Sequence, residues 1–151
     1  MNITYRNFKL SDKKYVAKLI KLLYLEDPEG KPATDDNINR TFKELTSHHD
    51  KGTIMVIEDG LTIIGYAILV NFWSNEYGGN ILNLDELYIL KKYRSQGVGT
   101  KFTQYLIDNK FNNSVAVQLE TMPSNEKARQ LYERIGFKLS QSNHFIYDLK
   151  E

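Results

Sequence analysis

Cysteine is absent from this chain of 151 residues, which excludes disulfides, thiol catalysis and thiolate metal sites. No apolar run approaches the roughly 20 residues that a membrane-spanning helix needs, and the start, "MNITYRNF", lacks the apolar core of a signal peptide. The net charge is only +1, so the chain has no general field for nucleic acid or an anionic membrane. We therefore expect a cytoplasmic protein with neither of these partners, in which any anion binds at a local site.

The scarcity of proline and the absence of a linker indicate one domain. Two of the three prolines stand together in "LEDPEGKPAT", and no Pro/Gly/Ser-rich stretch, internal repeat or low-complexity segment divides the chain. The hydrophobic share of 41% and the charged share of 26% are ordinary for a globular protein. A chain of this length can bury a substantial core, and we expect one domain over residues 1–151.

Hydrophobic periodicity predicts the element order βααβββαβαββ. The helical segments carry apolar residues three or four positions apart, as at Val16, Ile20 and Leu23. The strand segments are short β-rich runs, two of them joined by Asp59-Gly60, a strong hairpin signal. Hairpins on both sides of a strand–helix–strand unit predict an α+β (loosely α/β) fold, with a mixed, mostly antiparallel sheet flanked by helices. The predicted helix caps are Ser11, Thr34 and Ser124 or Asn125, Gly136 is a left-handed helix stop, and the two final strands are "GFKLS" and "HFIYDL".

Two glycines open the third predicted helix, in "RSQGVGTKF". The N–H groups at a helix start are unpaired and lie at the positive end of the helix dipole, and glycine lets them come close to a phosphate. Arg94 adds a cation before Gly97 and Gly99, and Thr100 adds a hydroxyl after them. This pattern predicts a phosphate site. The alternative is a strand-to-helix turn whose glycines serve backbone geometry alone.

Two common phosphate motifs do not fit this turn. The nucleotide-triphosphatase loop G-x-x-x-x-G-K-[ST] requires a second glycine at the position where Phe102 stands. The dinucleotide fingerprint G-x-G-x-x-G/A fails at the same position, although Glu120 follows at about the spacing of a ribose-binding acid. That fingerprint usually follows the first strand of its fold, whereas this turn comes later in the chain.

A third phosphate motif fits. "RSQGVG" matches R/Q-x-x-G-x-G/A, the pyrophosphate-binding motif of the GCN5-related N-acetyltransferases (the GNAT family), which use acetyl-CoA. The strand "LDELYIL" followed by "KKYRSQGVG" resembles the strand-and-turn unit of that family, and the predicted element order is also the family's. The chain is therefore identified as a member of the GNAT family over nearly its whole length. The second matching motif, N-x-x-A-x-x-x-Y-x-x-x-G-F, falls on "NEKARQLYERIGF" at Asn125, Ala128, Tyr132, Gly136 and Phe137.

The resemblance implies where acetyl-CoA binds. In this family the strand before the glycine turn and the strand after its helix splay apart, and the pantetheine arm lies in the gap. Here these strands would be residues 83–90 and 114–120, and the pyrophosphate would contact the N–H groups of residues 96–100. No metal is implied. The implied acetyl-CoA contacts are Leu87, Ile89, Arg94, Ser95, Gln96, Gly97, Val98, Gly99, Thr100, Asn125, Ala128 and Tyr132.

The implied reaction is direct attack of an amine on the acetyl thioester in a ternary complex. An alkylamine has a pKa near ~10, so it arrives protonated and must lose a proton. The candidate bases are the carboxylates Asp85, Glu86 and Glu120; the alternatives are a water chain as base, and a solvated strand-end role for each carboxylate. Alternation along a strand places Asp85 and Glu86 on opposite faces unless a bulge intervenes.

The resemblance also assigns the remaining catalytic roles. Tyr132 matches the family's tyrosine that protonates or hydrogen-bonds the departing CoA thiolate, and the backbone N–H of Ile89 matches its oxyanion donor. The alternative for Tyr132 is a core tyrosine of an amphipathic helix. Two segments that often wall the acceptor site are acidic and aromatic here, which would suit a cationic amine. The first contains Tyr24, Glu26, Asp27 and Glu29, and the second contains Trp73, Glu76 and Tyr77.

We predict an acetyl-CoA-dependent N-acetyltransferase that acts on a small primary amine, polyamine-like or aminoglycoside-like. One alternative is a protein or peptide N-terminal acetyltransferase, which would need an open groove rather than an acid-lined pocket. Another alternative is a non-catalytic module that senses acyl-CoA. Many members of the family are dimers, so a homodimer is compatible with the resemblance.

Overall fold

The computed structural model describes residues 1–27 and 30–150, which fall into two units. The larger unit, Met1–Glu120, contains the strands and three α-helices, and the smaller unit, from Thr121 onward, contains the fourth α-helix. Within residues 1–27 and 30–150, no helix is long and apolar enough to cross a membrane. The strands are β1 (Ile3–Asn7), β2 (Gly52–Asp59), β3 (Thr62–Ser74), β4 (Gly79–Ile89) and β5 (Ala116–Leu119), and the helices are α1 (Lys13–Glu26), α2 (Asp35–Ser47), α3 (Val98–Asp108) and α4 (Glu126–Ile135).

A five-stranded sheet in the order β1-β2-β3-β4-β5 organises the larger unit. The strands β1 to β4 are antiparallel to their neighbours, whereas β5 runs parallel to β4. The predicted hairpin between β2 and β3 is confirmed, but its two-residue loop is Gly60-Leu61, one residue later than the predicted Asp59-Gly60, because Asp59 pairs with Thr62. Gly60 takes a positive φ of 61° there, a conformation that glycine adopts without strain. The mixed, mostly antiparallel sheet with flanking helices confirms the predicted fold class.

Each face of the sheet buries its own apolar cluster. One face packs against α1 and α2 through residues such as Val16, Phe42 and Tyr66. The opposite face packs against α3 through residues such as Leu84 and Phe102. We call these the α1 face and the α3 face of the sheet. Since side chains alternate along a strand, the two clusters reveal to which face each strand residue points.

Local sequence signals set most helix ends where they were predicted. The Thr34 hydroxyl caps α2 by accepting the N–H of Asn37 at 3.1 Å. The Asn125 side chain caps α4 by accepting the N–H of Ala128 at 3.2 Å. Gly136 ends α4 with a φ of 117°, in the left-handed region where glycine is favoured.

The start of α1 differs from the prediction that Ser11 caps it. Ser11 lies within a short 3-10 turn, Leu10–Asp12, and α1 follows without a side-chain cap. Asp12 is only 7% exposed and directs its carboxylate to Arg6, whose Nη1 and Nη2 donate to it at 2.7 and 2.9 Å. Pairing this buried carboxylate with a guanidinium therefore takes precedence over capping of the helix by Ser11.

Replacing Asp12 with asparagine should lower the free energy of unfolding by about 2 kcal/mol, because a mostly buried, hydrogen-bonded charge pair is lost. The hydrogen bonds from Arg6 hold the pKa of Asp12 below its ordinary value. The stabilisation is therefore complete above about pH 4 and is lost as the pH falls through the lowered pKa. Urea unfolding should show a gap between wild type and variant at pH 7 that narrows in acid. Asp50→Asn, in an exposed loop, is the matched control, and equal effects of the two substitutions would contradict this role.

The two strands predicted at the C-terminal end are wrong. Residues 137–150 contain no strand, so the observed order over the described residues is βααβββαβα. Leu139, Phe145 and Tyr147 stand at the alternating spacing that predicts strands, but alternation is only one requirement of a strand. Its backbone also needs a neighbouring chain for a ladder of hydrogen bonds, and the two segments form no ladder with each other.

Candidate functional site

The candidate site of the larger unit begins where β4 and β5 separate. The two strands pair only between Ile81–Leu84 and Ala116–Leu119, whereas β4 continues to Ile89. Within the described residues of the larger unit, no strand pairs with this side of β4 beyond Leu84. The predicted gap between the two strands is therefore present, and one edge of β4 faces it.

Leu87 and Ile89 direct their backbone groups into this gap. The N–H of Leu90 donates to the carbonyl of Ile64 in β3 at 2.9 Å. Because successive residues of a strand point their backbone groups to alternate sides, those of Ile89 and Leu87 point away from β3. The carbonyl of Ile89 agrees, since it accepts a hydrogen bond from Nε of Arg94 at 2.7 Å. The edge of β4 thus offers the N–H groups that a ligand laid along it would use.

The glycine turn brings the start of α3 next to this edge. Gly97 has a φ of 80° and precedes α3 without a side-chain cap. The first hydrogen bond of the helix runs from the N–H of Lys101 to the carbonyl of Gly97 at 2.9 Å, so the N–H groups of residues 98–100 come before it. A Cβ atom built on Gly99 would meet only Cδ2 of Leu87, at 3.8 Å. The helix start and the edge of β4 therefore border one open space.

Arg94 is held between β4 and the last turn of α1. Besides its bond to Ile89, its Nη2 lies 3.1 Å from both carboxylate oxygens of Glu26, and its guanidinium carbon lies 5.0 Å from the ring centre of Tyr88. Both Glu26 and Arg94 are partly exposed, so a phosphate could compete with the carboxylate for the guanidinium.

The other predicted contacts of the turn lie around this space. Ser95 has a positive φ of 61°, which is unusual for a residue other than glycine. The Gln96 side chain donates to the carbonyl of Lys92 at 3.0 Å. Val98 is buried in the cluster of the α3 face, and Thr100 is half-buried in the first helical turn. Val98 thus anchors the turn through packing, while its neighbours present backbone groups.

A β-bulge in β4 sets the direction of its carboxylates. The register with β3 shifts between Leu84 and Glu86, so Asp85 has no counterpart in β3. Leu84 packs on the α3 face and Tyr88 on the α1 face, although regular alternation would put residues four apart on the same face. The bulge therefore turns Glu86 to the α1 face. From the sequence alone, Asp85 and Glu86 were predicted on opposite faces of the strand, and a bulge was allowed only as an exception.

Two tyrosine hydroxyls hold Glu86. Tyr24 at the end of α1 donates to Oε2 at 2.8 Å, and Tyr66 of β3 donates to Oε1 at 2.7 Å. Burial raises the pKa of Glu86, and the two hydrogen bonds oppose that rise by favouring the ionised form. Burial and the charge of Glu86 also raise the pKa of both phenols. Tyr66 was missed in the sequence because it stands within the apolar run "IIGYAILV", where a tyrosine is indistinguishable from a core residue.

Asp85 differs from Glu86 in its surroundings. It is exposed, and within residues 1–27 and 30–150 no side-chain hydrogen bond to its carboxylate is formed. Partial desolvation, followed by the negative charge of Glu120, raises its pKa. The charge of Asp85 in turn contributes to the raised pKa of Glu86 and Tyr24. Asp85 therefore lies close enough to both Glu86 and Glu120 for their charges to interact, and in the described chain the three carboxylates form no metal-binding group.

The smaller unit carries the other predicted site residues on one helix. Asn125 uses its side-chain oxygen to cap α4 at Ala128. Tyr132 is half-buried and packs edge-to-face on Phe137, with the ring centres 5.7 Å apart. Burial raises the pKa of the Tyr132 hydroxyl, so the group keeps its proton at neutral pH and is able to donate it in a hydrogen bond.

The two segments predicted to wall the acceptor site, one around Tyr24 and one around Trp73, lie at different distances from the carboxylates of β4. Tyr24 and Glu26 contact Glu86 and Arg94 directly, and Asp27 adds to the negative charge that raises the pKa of Tyr24; Glu29 lies outside the described residues. The second wall is farther away. Trp73 pairs with Asn80, about 17 Å along β4 from Asp85 at the usual rise of a strand, so Trp73 lies farther from Asp85 than the length of a small amine.

A depression at the start of α1 does not suit a cationic amine. Its volume is about 490 Å³, and it lies between α1 and Asn39 of α2. Lysine ammonium groups would repel a positively charged acceptor. The lysines that line it are Lys13, Lys14, Lys18 and Lys21.

Comparison with known protein families and proteins gives matches over much of the chain. A family model described as the acetyltransferase (GNAT) family matches residues 16–137. The chain is 30% identical over 78 residues to thialysine N-epsilon-acetyltransferase of Mus musculus, which is 51% of this chain and 45% of that protein. It is 46% identical over 52 residues to N-alpha-acetyltransferase 30 of Schizosaccharomyces pombe, which is 34% of this chain and 35% of that protein. The chain thus spans less than half the length of these curated relatives.

A solved structure shares the fold of the chain. AAC(6')-Iy, in complex with the bisubstrate analogue CoA-S-monomethyl-acetylneamine, superposes with a TM-score of 0.80. The match covers 98% of this chain and 99% of that chain at 16% sequence identity. At this identity the likeness concerns the fold alone.

Proposed function

This chain belongs to the GNAT family of acetyltransferases, and from that membership we propose that it is an acetyl-CoA-dependent N-acetyltransferase. We also propose that residues 1–151 form one such domain, and that its acceptor is a small primary amine. The observation that carries the proposal is the open edge of β4 beside the start of α3, where the N–H groups of Leu87 and Ile89 border the same space as Gly99.

These residues fit an acyl-CoA in two ways. A pantetheine arm contains amide groups, which can pair with a free strand edge as another strand would. A pyrophosphate suits the unpaired N–H groups of a helix start, and the absence of a side chain at Gly99 leaves room for its approach. When bound, acetyl-CoA supplies an acetyl group activated as a thioester. Arg94, now paired with Glu26, is placed to exchange that carboxylate for a phosphate oxygen.

Residues of the chain can accept and donate the protons that move during acetyl transfer. The amine nitrogen forms a bond to the acetyl carbon, the carbon–sulfur bond breaks, and the proton of the amine must go to a base. We assign that base to Asp85, because its carboxylate is exposed and its raised pKa strengthens it as a proton acceptor. The N–H of Ile89 is the donor for the oxygen of the reacting carbonyl. Tyr132 donates its proton, or a hydrogen bond, to the departing sulfur.

The surroundings of Asp85 favour a small cationic acceptor. Glu86 and Glu120 add two carboxylates, and Tyr24 adds an aromatic ring. Thialysine N-epsilon-acetyltransferase, the mouse relative, is named for a small amine substrate, which agrees with this class. A second candidate is acetylation of a polypeptide N-terminus, since a 52-residue segment is 46% identical to N-alpha-acetyltransferase 30.

An acceptor panel distinguishes the two candidates. CoA release from acetyl-CoA would be measured with alkylamines, diamines, thialysine, an aminoglycoside and short peptides with free N-termini. We expect turnover with small amines and little with the peptides. Faster turnover of the peptides would favour the second candidate. Binding of acetyl-CoA without acetylation of any acceptor would contradict both, and would favour a sensor of acyl-CoA.

Gly99→Val should weaken acetyl-CoA binding by about tenfold or more, which corresponds to 1.4 kcal/mol, because the side chain would fill the space of the phosphate. The protein should stay folded, since the first added atom would meet only Leu87, at an ordinary contact distance of 3.8 Å. Gly97 is a poorer choice, because its positive φ of 80° strains any other residue. Calorimetry with acetyl-CoA gives the affinity and the melting temperature confirms folding. Gln104→Val, on the exposed side of the same helix, is the control; unchanged affinity in folded Gly99→Val would rule out this phosphate site.

A further inference from the structure

We propose that Glu86 binds a second cationic group of the acceptor, one that is not acetylated, so that the enzyme prefers diamines and longer polyamines to monoamines. This assignment rests on the proposed function, because it concerns the same acceptor site. It gives Glu86 a role different from that of Asp85, although the two carboxylates are adjacent in the chain.

The first observation is the rigid support of the Glu86 carboxylate. Tyr24 and Tyr66 donate to opposite oxygens, at 2.8 and 2.7 Å, from two different elements, α1 and β3. This pair of bonds fixes the plane of the carboxylate. Each carboxylate oxygen has two lone pairs, so each keeps one for a further N–H donor. The Glu86 carboxylate is therefore preorganised to accept hydrogen bonds from a ligand.

The second observation is a missing counter-ion. Glu86 is half-buried, and among the described residues no lysine, arginine or histidine forms a salt bridge with it. A desolvated negative charge without a cation is costly, and a nearby cation relieves that cost. The two tyrosine hydroxyls stabilise the ionised carboxylate but carry no positive charge. An ammonium group of a ligand would supply that positive charge.

The third observation is the unequal availability of the two adjacent carboxylates for proton transfer. Both oxygens of Glu86 already accept hydrogen bonds from hydroxyl groups, and these bonds oppose the rise in the pKa of Glu86 that burial causes. Asp85 is exposed at the bulge. The charge of Asp85 contributes to the raised pKa of Glu86, so the two carboxylates lie near each other, and one short alkyl chain can bring one amine to Asp85 and another to Glu86. A monoamine can occupy only one of these positions.

Access to Glu86 is on the side of Tyr24. Tyr66 is completely buried, whereas Tyr24 is half-buried in the last turn of α1. Tyr24 is therefore a positioning residue, which acts on the acceptor by holding Glu86. Among the residues that the structure describes, the titratable groups that face Glu86 are Tyr24 from α1, Tyr66 from β3 and Asp85 from its own strand.

Butylamine and 1,4-diaminobutane are the matched probes, because they differ by one amine group. We expect wild-type kcat/KM to be at least about tenfold higher for the diamine, as one charged hydrogen bond justifies. Glu86→Gln should reduce this preference to near unity, mainly through a higher KM for the diamine. The loss of kcat/KM should be much larger for the diamine than for butylamine.

Tyr24→Phe tests the positioning role. The KM for the diamine should rise about fivefold, as expected when one of two hydrogen bonds to a carboxylate is lost. The acidic limb of kcat/KM for the diamine should move to higher pH, because the bond from Tyr24 lowers the pKa of Glu86. A purely structural role would not move this limb. Tyr15→Phe, a partly exposed tyrosine of the same helix, is the control and should change neither quantity.

Equal wild-type kcat/KM for the two probes would overturn the proposal while leaving acetyl transfer intact. An equal loss of kcat/KM for both probes in Glu86→Gln would also overturn the proposal, because it would indicate that Glu86 is the base. If neither probe is acetylated, calorimetry decides. Tighter binding of the diamine that depends on Glu86 supports the proposal, and equal or absent binding overturns it. Failure of the proposed function itself would show separately, as absence of CoA release with every acceptor of the panel.

Discussion

Asp85→Asn is expected to slow acetyl transfer by about 10²–10³-fold, because the amide keeps the size of the side chain but cannot take the proton of the amine. The affinity for acetyl-CoA should change little, since Asp85 is assigned to the acceptor and not to the donor. Steady-state kinetics with a saturating amine and calorimetry with acetyl-CoA measure the two quantities. Asp50→Asn, in an exposed loop, is the matched control for loss of one carboxylate.

The pH profile separates Asp85 from its neighbours. A general base must be deprotonated, so the raised pKa of Asp85 should place the acidic limb of kcat/KM above the ordinary value of about 3.9. With butylamine as the acceptor, Asp85→Asn should abolish this limb and leave only the limb of the amine itself. Glu120→Gln should move the limb to lower pH, because the charge of Glu120 contributes to the raised pKa of Asp85. If Glu120→Gln abolishes the limb instead, Glu120 is the base.

Tyr132→Phe is expected to lower kcat by about 10²–10³-fold, by analogy with removal of one donor from an oxyanion hole. The hydroxyl would act on the developing thiolate, so its contribution exists mainly in the transition state. Packing should be preserved, because phenylalanine retains the ring that contacts Phe137 at 5.7 Å. Binding of acetyl-CoA should therefore persist while turnover falls.

The matched control for this substitution is Tyr147→Phe, at an exposed tyrosine of the same unit. Burst kinetics and the dissociation constant of acetyl-CoA separate the chemical step from binding. Wild-type turnover in Tyr132→Phe would remove the hydroxyl from the mechanism. A parallel loss of acetyl-CoA affinity would instead indicate a binding role for Tyr132.

Features encoded by neighbouring residues were predictable from the sequence. The caps at Thr34 and Asn125 and the helix stop at Gly136 depend on contacts within one turn, and all three are confirmed. The hairpin at Gly60 depends on a two-residue loop and is confirmed as well. The glycine turn at Gly97 opens a helix, as its spacing predicted.

Features that depend on distant partners were not predictable. Ser11 matches the pattern of a cap, but Asp12 instead pairs with Arg6, a residue of another element. Strand alternation was present after Gly136, but no ladder formed there. Tyr66 looked apolar by its neighbours, and its hydroxyl acquired a role only through contact with Glu86, twenty residues away in sequence. The assignments of the site residues to acetyl-CoA and to catalysis stay predictions.

The bulge at Asp85 has a consequence for the gene. Because Asp85 has no counterpart in β3, removal of its single codon would restore ordinary alternation, with Leu84 still on the α3 face and Glu86 still on the α1 face. The sheet would keep both of its apolar faces and lose only the proposed base. A one-residue deletion, normally destructive inside a strand because it reverses every side chain beyond it, would here be an easy evolutionary step. The proposed acetyl-transfer chemistry could thus be gained or lost by one in-frame insertion or deletion, on a scaffold that retains the proposed donor site and the glutamate proposed to bind a cation.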